Sequence, residues 1–106
     1  MTRNSFLKPD PECGDVTTSA FNTVGVNTAL ELRELPLVAP FGVVSRPPVG
    51  ERAVVLPLEK ENVCLGVYAN DSTLQPGELM LCSKGGASIV LKNDGTVLIN
   101  GKVYGE

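Results

Sequence analysis

The sequence predicts an all-β protein in which a small barrel is followed by a C-terminal β-hairpin. Clusters of Gly, Pro, Asn and Asp recur about every eight to twelve residues, which is typical of small β-sandwiches and barrels. Apolar and β-branched residues alternate between these clusters. The segment whose composition most favours a helix, residues 29–35, has only seven residues before Pro36, and this is too short for a stable isolated helix.

The first third of the chain is predicted to contain an N-terminal arm and two strands. Residues 1–20 are polar and rich in turn formers, such as Lys8-Pro9-Asp10-Pro11, and form the expected arm. Residues 21–27 alternate loosely and are rich in β-branched residues, which favours a strand. Residues 29–35 are also assigned to a strand, although their leucines fit neither the helical nor the strand period.

A proline-rich connection is predicted next. Residues 38–50 contain three prolines and two glycines, which excludes a regular helix or a central strand. Phe41 is the expected anchor of this loop on the core. Arg46-Pro47-Pro48 should run extended, because proline fixes its own φ and restricts the residue before it.

The second half of the chain completes the barrel. Further strands are predicted at residues 51–58, 63–69 and 78–82. In the middle one, Val63, Leu65 and Val67 are expected on one face, with Cys64 on the other. About five strands would form a partly closed barrel of the OB type, since closure removes open edges from a short chain. The expected OB-like barrel spans residues 21–86, and the hairpin spans residues 87–106.

The C-terminal hairpin is too apolar to stand alone in water. Turns are predicted at Asp94-Gly95 and Asn100-Gly101, because these dipeptides adopt the positive φ angles of tight hairpins. Alternating apolar residues between the turns give each strand a face that needs cover; they are Ile89, Leu91, Val97 and Ile99. A two-stranded hairpin cannot bury such a face by itself. Either the preceding domain covers it, or copies of the hairpin from neighbouring chains do.

Composition argues against several classes of function. The 106 residues carry a net charge of −3 and include no histidine, no tryptophan and five aromatic residues. A basic nucleic-acid footprint is therefore not expected, and the usual acid–base residue and metal ligand is missing. No nucleophile–base–orienter set is visible. We therefore expect no enzyme activity, and no catalytic, cofactor-binding or metal-binding residue is assigned.

The cysteines and the hydropathy pattern indicate an intracellular, soluble protein. Cys13, Cys64 and Cys82 are odd in number and lack metal-ligand spacing, so they are expected to be buried small hydrophobes in a reducing compartment. A Cys64–Cys82 disulfide stays open as an alternative. No secretory signal peptide is expected, and the apolar stretches are shorter than a membrane helix needs.

Three blocks of sequence resemble one protein family. Residues 40–55 (PFGVVSRPPVGERAVV) resemble the PYG-x-x-SRPP-x-G-x-EALV segment of phage Mu-type central spike proteins, with Phe41 where the family usually has tyrosine. Residues 74–81 (LQPGELML) resemble that family's L-x-PGE-V-A-L-Y stretch. Residues 87–95 resemble the strand pair that follows it. The order and spacing of the blocks agree over roughly residues 36–100.

The resemblance implies a structural role in the baseplate of a contractile tail. Family members carry an OB-like domain followed by an intertwined three-chain β-structure, sit as a trimer on the tail axis, and pierce the host envelope. The implied partners are two sister chains, other tail or baseplate proteins and, during infection, the host envelope. The implied location is the virion tail baseplate, after assembly in the host cytoplasm. Longer members end in a needle, sometimes closed by histidine-bound iron, so a chain without histidine is expected to supply at most the spike base.

This hypothesis assigns the trimer axis to the alternating apolar residues of the C-terminus. They are Ile89, Leu91, Val97, Ile99 and Val103. The alternative for these residues is that they complete the core of a monomer. The alternative function is an OB-like binding module for single-stranded nucleic acid or a glycan, which needs aromatic platforms and a cationic groove. Because Phe41, Tyr68 and Tyr104 are scattered and acidic residues lie among the lysines, no nucleic-acid partner is expected.

Overall fold

The computed structural model describes residues 10–69 and 73–105. The described chain is all-β, which confirms the predicted class: it contains no helix, and therefore none that could cross a membrane. Its strands are β1 (Glu12–Ser19), β2 (Thr23–Asn27), β3 (Glu31–Pro36), β4 (Arg52–Pro57), β5 (Asn62–Val67), β6 (Leu79–Cys82), β7 (Ser88–Leu91), β8 (Val97–Ile99) and β9 (Lys102–Val103).

Two antiparallel sheets lie in two compact units of the chain. The first unit, Met1–Ala69, holds a sheet of order β3-β2-β1-β4-β5, and the second, Asn70–Glu106, holds a sheet of order β6-β7-β8-β9. The sequence placed the boundary after residue 86. The structure places it earlier because β6 pairs along its whole length with β7, from Leu79 opposite Leu91 to Cys82 opposite Ser88.

The central strand of the first sheet is β1, in a region that was expected to be an irregular arm. That expectation is wrong for residues 12–19, and residues 1–9 lie outside the described chain. Gly14 belongs to the stretch predicted to be a turn-rich arm, but it lies in extended chain against β2, where an added Cβ would come 2.8 Å from Val26 Cγ1. The glycine therefore permits close strand approach. Two residues later, Val16 is 1% exposed and enters the core.

A bulge in β3 explains why its leucines fit no simple period. Leu32 pairs with Val26 and Leu35 pairs with Val24, so β3 holds two residues where β2 holds one. One of these two residues, Glu34, has a φ of 54°. Both leucines consequently turn to the core although they are three positions apart. The strand predicted for this segment is confirmed.

A second bulge lies in β5. Cys64 pairs with Val55 in β4, and the next pair of the ladder joins Gly66 to Val54. Leu65 is left without a partner and is 44% exposed, whereas Cys64 is fully buried. The expected strict alternation along this strand is therefore interrupted at Leu65.

All five strands of the first unit contribute to one core. Its buried members are Val16, Val24, Val26, Leu35, Ala53, Val55 and Cys64. Just beyond β3, Leu37 forms a parallel bridge to Cys64, and Val38 N donates to Cys64 O at 3.0 Å. The chain after β3 thus reaches β5, although β3 and β5 stand at opposite ends of the strand order.

The proline-rich loop between β3 and β4 is held differently from the prediction. Phe41 is fully exposed, so its expected role as the anchor is wrong. Arg46 fixes the loop instead, because its Nε donates to Ala20 O at 2.7 Å and its guanidinium lies 5.4 Å from the Phe21 ring centre. The next residue, Pro47, is buried.

The cysteines are free thiols and do not share one environment. Cys64 is buried, and burial raises the pKa of its thiol. Cys13 and Cys82 are exposed, which corrects the expectation that all three are buried. The alternative of a Cys64–Cys82 disulfide is not realised in this structure.

Candidate interaction surface on the C-terminal sheet

A tight turn starts the second unit. Glu78 N donates to Gln75 O at 3.0 Å, which closes a four-residue turn. Pro76 occupies its second position, and Gly77 has a φ of 97° at the third, which is the pattern of a type II turn. An added Cβ at Gly77 would also lie 2.7 Å from Asn93 Oδ1, so both backbone conformation and space require glycine there.

The Glu78 carboxylate joins this turn to the β7–β8 connection. It accepts hydrogen bonds from Gln75 N and Asn93 N, each at 3.0 Å, and lies 3.4 Å from Lys92 Nζ. Its side chain is only 4% exposed. The two backbone N–H groups, with a smaller contribution from Lys92, hold the pKa of this carboxyl below its usual value. The anion is therefore the form that fastens β6 to the hairpin.

The two hairpin turns predicted from Asp-Gly and Asn-Gly are present. Asp94 Oδ1 accepts from Thr96 N at 2.9 Å and Thr96 Oγ1 at 2.7 Å, which lowers the pKa of Asp94. Gly95 follows with a φ of 90°. Asn100 and Gly101 have φ values of 52° and 84°, the two positive angles of a type I′ turn. Local side-chain chemistry thus sets the register of β7, β8 and β9.

That register gathers aliphatic side chains on one side of the sheet. Residues directly opposite each other on antiparallel strands share a face. Leu79, Leu91 and Val97 form one such row, and Leu81, Ile89 and Ile99 form the next. We call these six residues the aliphatic face. Five of them are 39–51% exposed and Val97 is half-buried.

The structure brings together four of the five residues assigned to the trimer axis. Ile89, Leu91, Val97 and Ile99 lie on the aliphatic face, whereas Val103 pairs with Leu98 and lies on the reverse face. The two-residue turn causes this, since it sets Ile99 opposite Lys102 and leaves the next residue on the other side.

Two further members of the surface were missed by sequence reasoning. Leu79 and Leu81, each 51% exposed, belong to the same face. Their spacing of two residues was a usable signal, but the pairing of β6 with β7 was needed to assign the face.

The second unit buries little of its apolar surface. Among residues 73–105, none is buried to the degree of the first unit's core. The reverse face is also apolar, since Met80 pairs with Val90 and Leu98 pairs with Val103. Contiguous exposed apolar residues of this kind mark a candidate interaction surface.

The chemistry of this surface is that of packing. Fully burying a leucine or isoleucine side chain is worth roughly 1.5–3 kcal/mol, so the exposed portions on the aliphatic face retain roughly 1 kcal/mol each. In the part of the chain that the structure describes, no group of His, Cys, Asp and Glu side chains could hold a metal ion.

Comparison of the chain with protein-family models, with curated proteins and with solved structures finds no match in any of the three.

Proposed function

We propose that the protein is a structural component of a phage or prophage tail baseplate, in which three copies form a hub or spike base on the tail axis. The observation that carries this proposal is the uncovered aliphatic face. It occurs in the part of the chain where the resemblance to Mu-type spike proteins implies a three-chain β-structure. In this proposal, the hairpins of three chains bring their aliphatic faces together around a threefold axis.

The proposed fold of the first unit is an OB-like, partly closed barrel. The strand order β3-β2-β1-β4-β5, together with the bridge from Leu37 to Cys64, supports it. A core formed by side chains from every one of these strands also favours closure.

The second resembling block gains support from its geometry. The turn has Pro76 at its second position and Gly77, with its positive φ, at its third. The carboxylate of Glu78 accepts a hydrogen bond from Asn93 N. The PGE string of the family would therefore form the same turn and the same attachment to the following hairpin. This supports the resemblance at the base of the sheet that is proposed to trimerise.

The energetics favour a concentration-dependent trimer. Five half-exposed aliphatic side chains at roughly 1 kcal/mol each give roughly 5 kcal/mol per chain and roughly 15 kcal/mol per trimer. Two association steps cost at least about 4 kcal/mol each in lost translation and rotation. The surplus of roughly 7 kcal/mol favours association, but two micromolar steps need roughly 16 kcal/mol, so a trimer stable at micromolar concentration must bury further surface in addition to these five side chains.

Sedimentation equilibrium of the full chain tests the proposal. At about 1–100 µM, the expected mass is three times that of the chain. A monomer throughout this range would remove the main support. A monomer that shifts single-stranded DNA in a salt-sensitive manner, or that binds an oligosaccharide, would favour the alternative of an OB-like binding module.

A further inference from the structure

A groove opens at one end of the first sheet. It belongs to the first unit, whereas the aliphatic face belongs to the second. The groove lies where β1 and β3 begin and where β4 turns into β5. Its volume is about 230 Å³, and its floor includes Leu30, Leu32 and Val55. Val55 belongs to the core, whereas Leu30 is 71% exposed at the tip of the β2–β3 turn. The groove therefore has an apolar floor, and a bound partner could bury the exposed side chain of Leu30.

The surroundings of this floor are acidic. A shallower hollow shares Leu32 with the groove. The carboxylates that line the groove and the hollow are those of Asp10, Glu12, Glu31, Glu34 and Glu61. Arg33 is the one basic residue in either lining. Within residues 10–69 and 73–105, no ion pair joins any of these five carboxylates to a cation.

We propose that this groove binds a basic peptide segment of a partner protein. One aliphatic side chain of the segment packs on Leu30 and Leu32, and flanking lysines or arginines face the carboxylates of Asp10 and Glu12. Charge complementarity selects this partner, since two carboxylates line the groove and three more line the neighbouring hollow, and this excess of negative charge attracts cations and repels phosphates. The volume also selects it, because small-molecule sites usually exceed about 300 Å³.

A labelled peptide tests this on the full chain. The probe is fluorescein-Gly-Lys-Leu-Lys-Gly, followed by fluorescence anisotropy. We expect saturable binding that weakens about tenfold between low and high salt, because exposed charge pairs are screened. The same peptide with glutamates in place of the lysines should not bind.

Three variants localise the binding. The double variant Asp10→Asn/Glu12→Gln should weaken it about fivefold, and Leu30→Ser should weaken it about threefold. Glu51→Gln is the matched control, because Glu51 precedes β4 at the end opposite the groove, and it should leave affinity unchanged.

The proposal is overturned by absence of saturable binding up to about 1 mM peptide, by binding that ignores salt, or by equal effects of the groove variants and the control. Deletion of residues 1–9 tests whether the groove is occupied by the chain's own N-terminal segment instead of a partner protein. If it raises peptide affinity more than about tenfold, the chain's own N-terminal segment is the occupant and the assignment to a partner protein is wrong.

Discussion

Leu91→Ala should weaken the proposed trimer without harming the fold of the chain. Leu91 lies on β7, the middle of the three strands that form the aliphatic face, and is 42% exposed in the single chain. If a sister chain covers this exposed part, its burial contributes about 1 kcal/mol, which is the corresponding share of the roughly 1.5–3 kcal/mol for a fully buried leucine. A trimer loses that amount three times, or about 3 kcal/mol.

A loss of about 3 kcal/mol lowers the trimerisation constant about 100-fold. Because three chains combine, the midpoint concentration of assembly varies as the inverse square root of this constant, and it should rise about tenfold. Sedimentation equilibrium over several concentrations measures that midpoint directly.

Leu65→Ala is the matched control for this measurement. Leu65 is also a strand leucine, is 44% exposed, and lies in the first unit outside the aliphatic face. Its substitution should leave the midpoint within about twofold of the original. An unchanged midpoint for Leu91→Ala, or an equal shift for both variants, would refute the placement of the trimer contact on this face.

Three further outcomes follow from the geometry of the chain. Because the pKa of Glu78 is lowered from its ordinary value of 4.5, its contribution to stability is present above that value and is lost as the pH falls through the lowered pKa; hydrogen exchange of the second unit should show this loss in the natural chain and not in Glu78→Gln. Gly77→Ala should destabilise the second unit more than Gly86→Ala, by about 1 kcal/mol in denaturant melts, because both glycines have positive φ but only Gly77 would place its Cβ against Asn93. A thiol reagent should label two cysteines of the folded protein quickly and reach buried Cys64 only after unfolding.

The features that the sequence predicted well are those set by local chemistry. The turns at Asp94-Gly95 and Asn100-Gly101 need positive φ angles, and the dipeptides that supply them are visible in the sequence. Strands between such turns follow from alternation. The exposed apolar surface of the C-terminus was also predictable in kind, because a short hairpin cannot cover itself.

The features that it missed depend on contacts between distant residues. Gly14 was assigned to the N-terminal arm because nothing in the sequence shows that β2 packs against it. The bulges at Glu34 and Leu65 shift the alternation by one residue, and only strand pairing reveals them. For the candidate surface, the pairing of Leu79 with Leu91 and of Leu98 with Val103 decided which side each residue occupies.

The connectivity of the C-terminal sheet determines how its folding time compares with the time needed for two chains to meet. Each of its strands pairs only with its neighbour in the sequence, so the sheet can close within about 1–10 µs per hairpin. Meeting a sister chain at micromolar concentration takes on the order of 0.1–10 s at typical protein association rates. If the proposed trimer forms, a newly made chain therefore spends nearly all of the time before assembly folded with its aliphatic face exposed. Its protection from aggregation then depends on the rate of association rather than on the rate of folding.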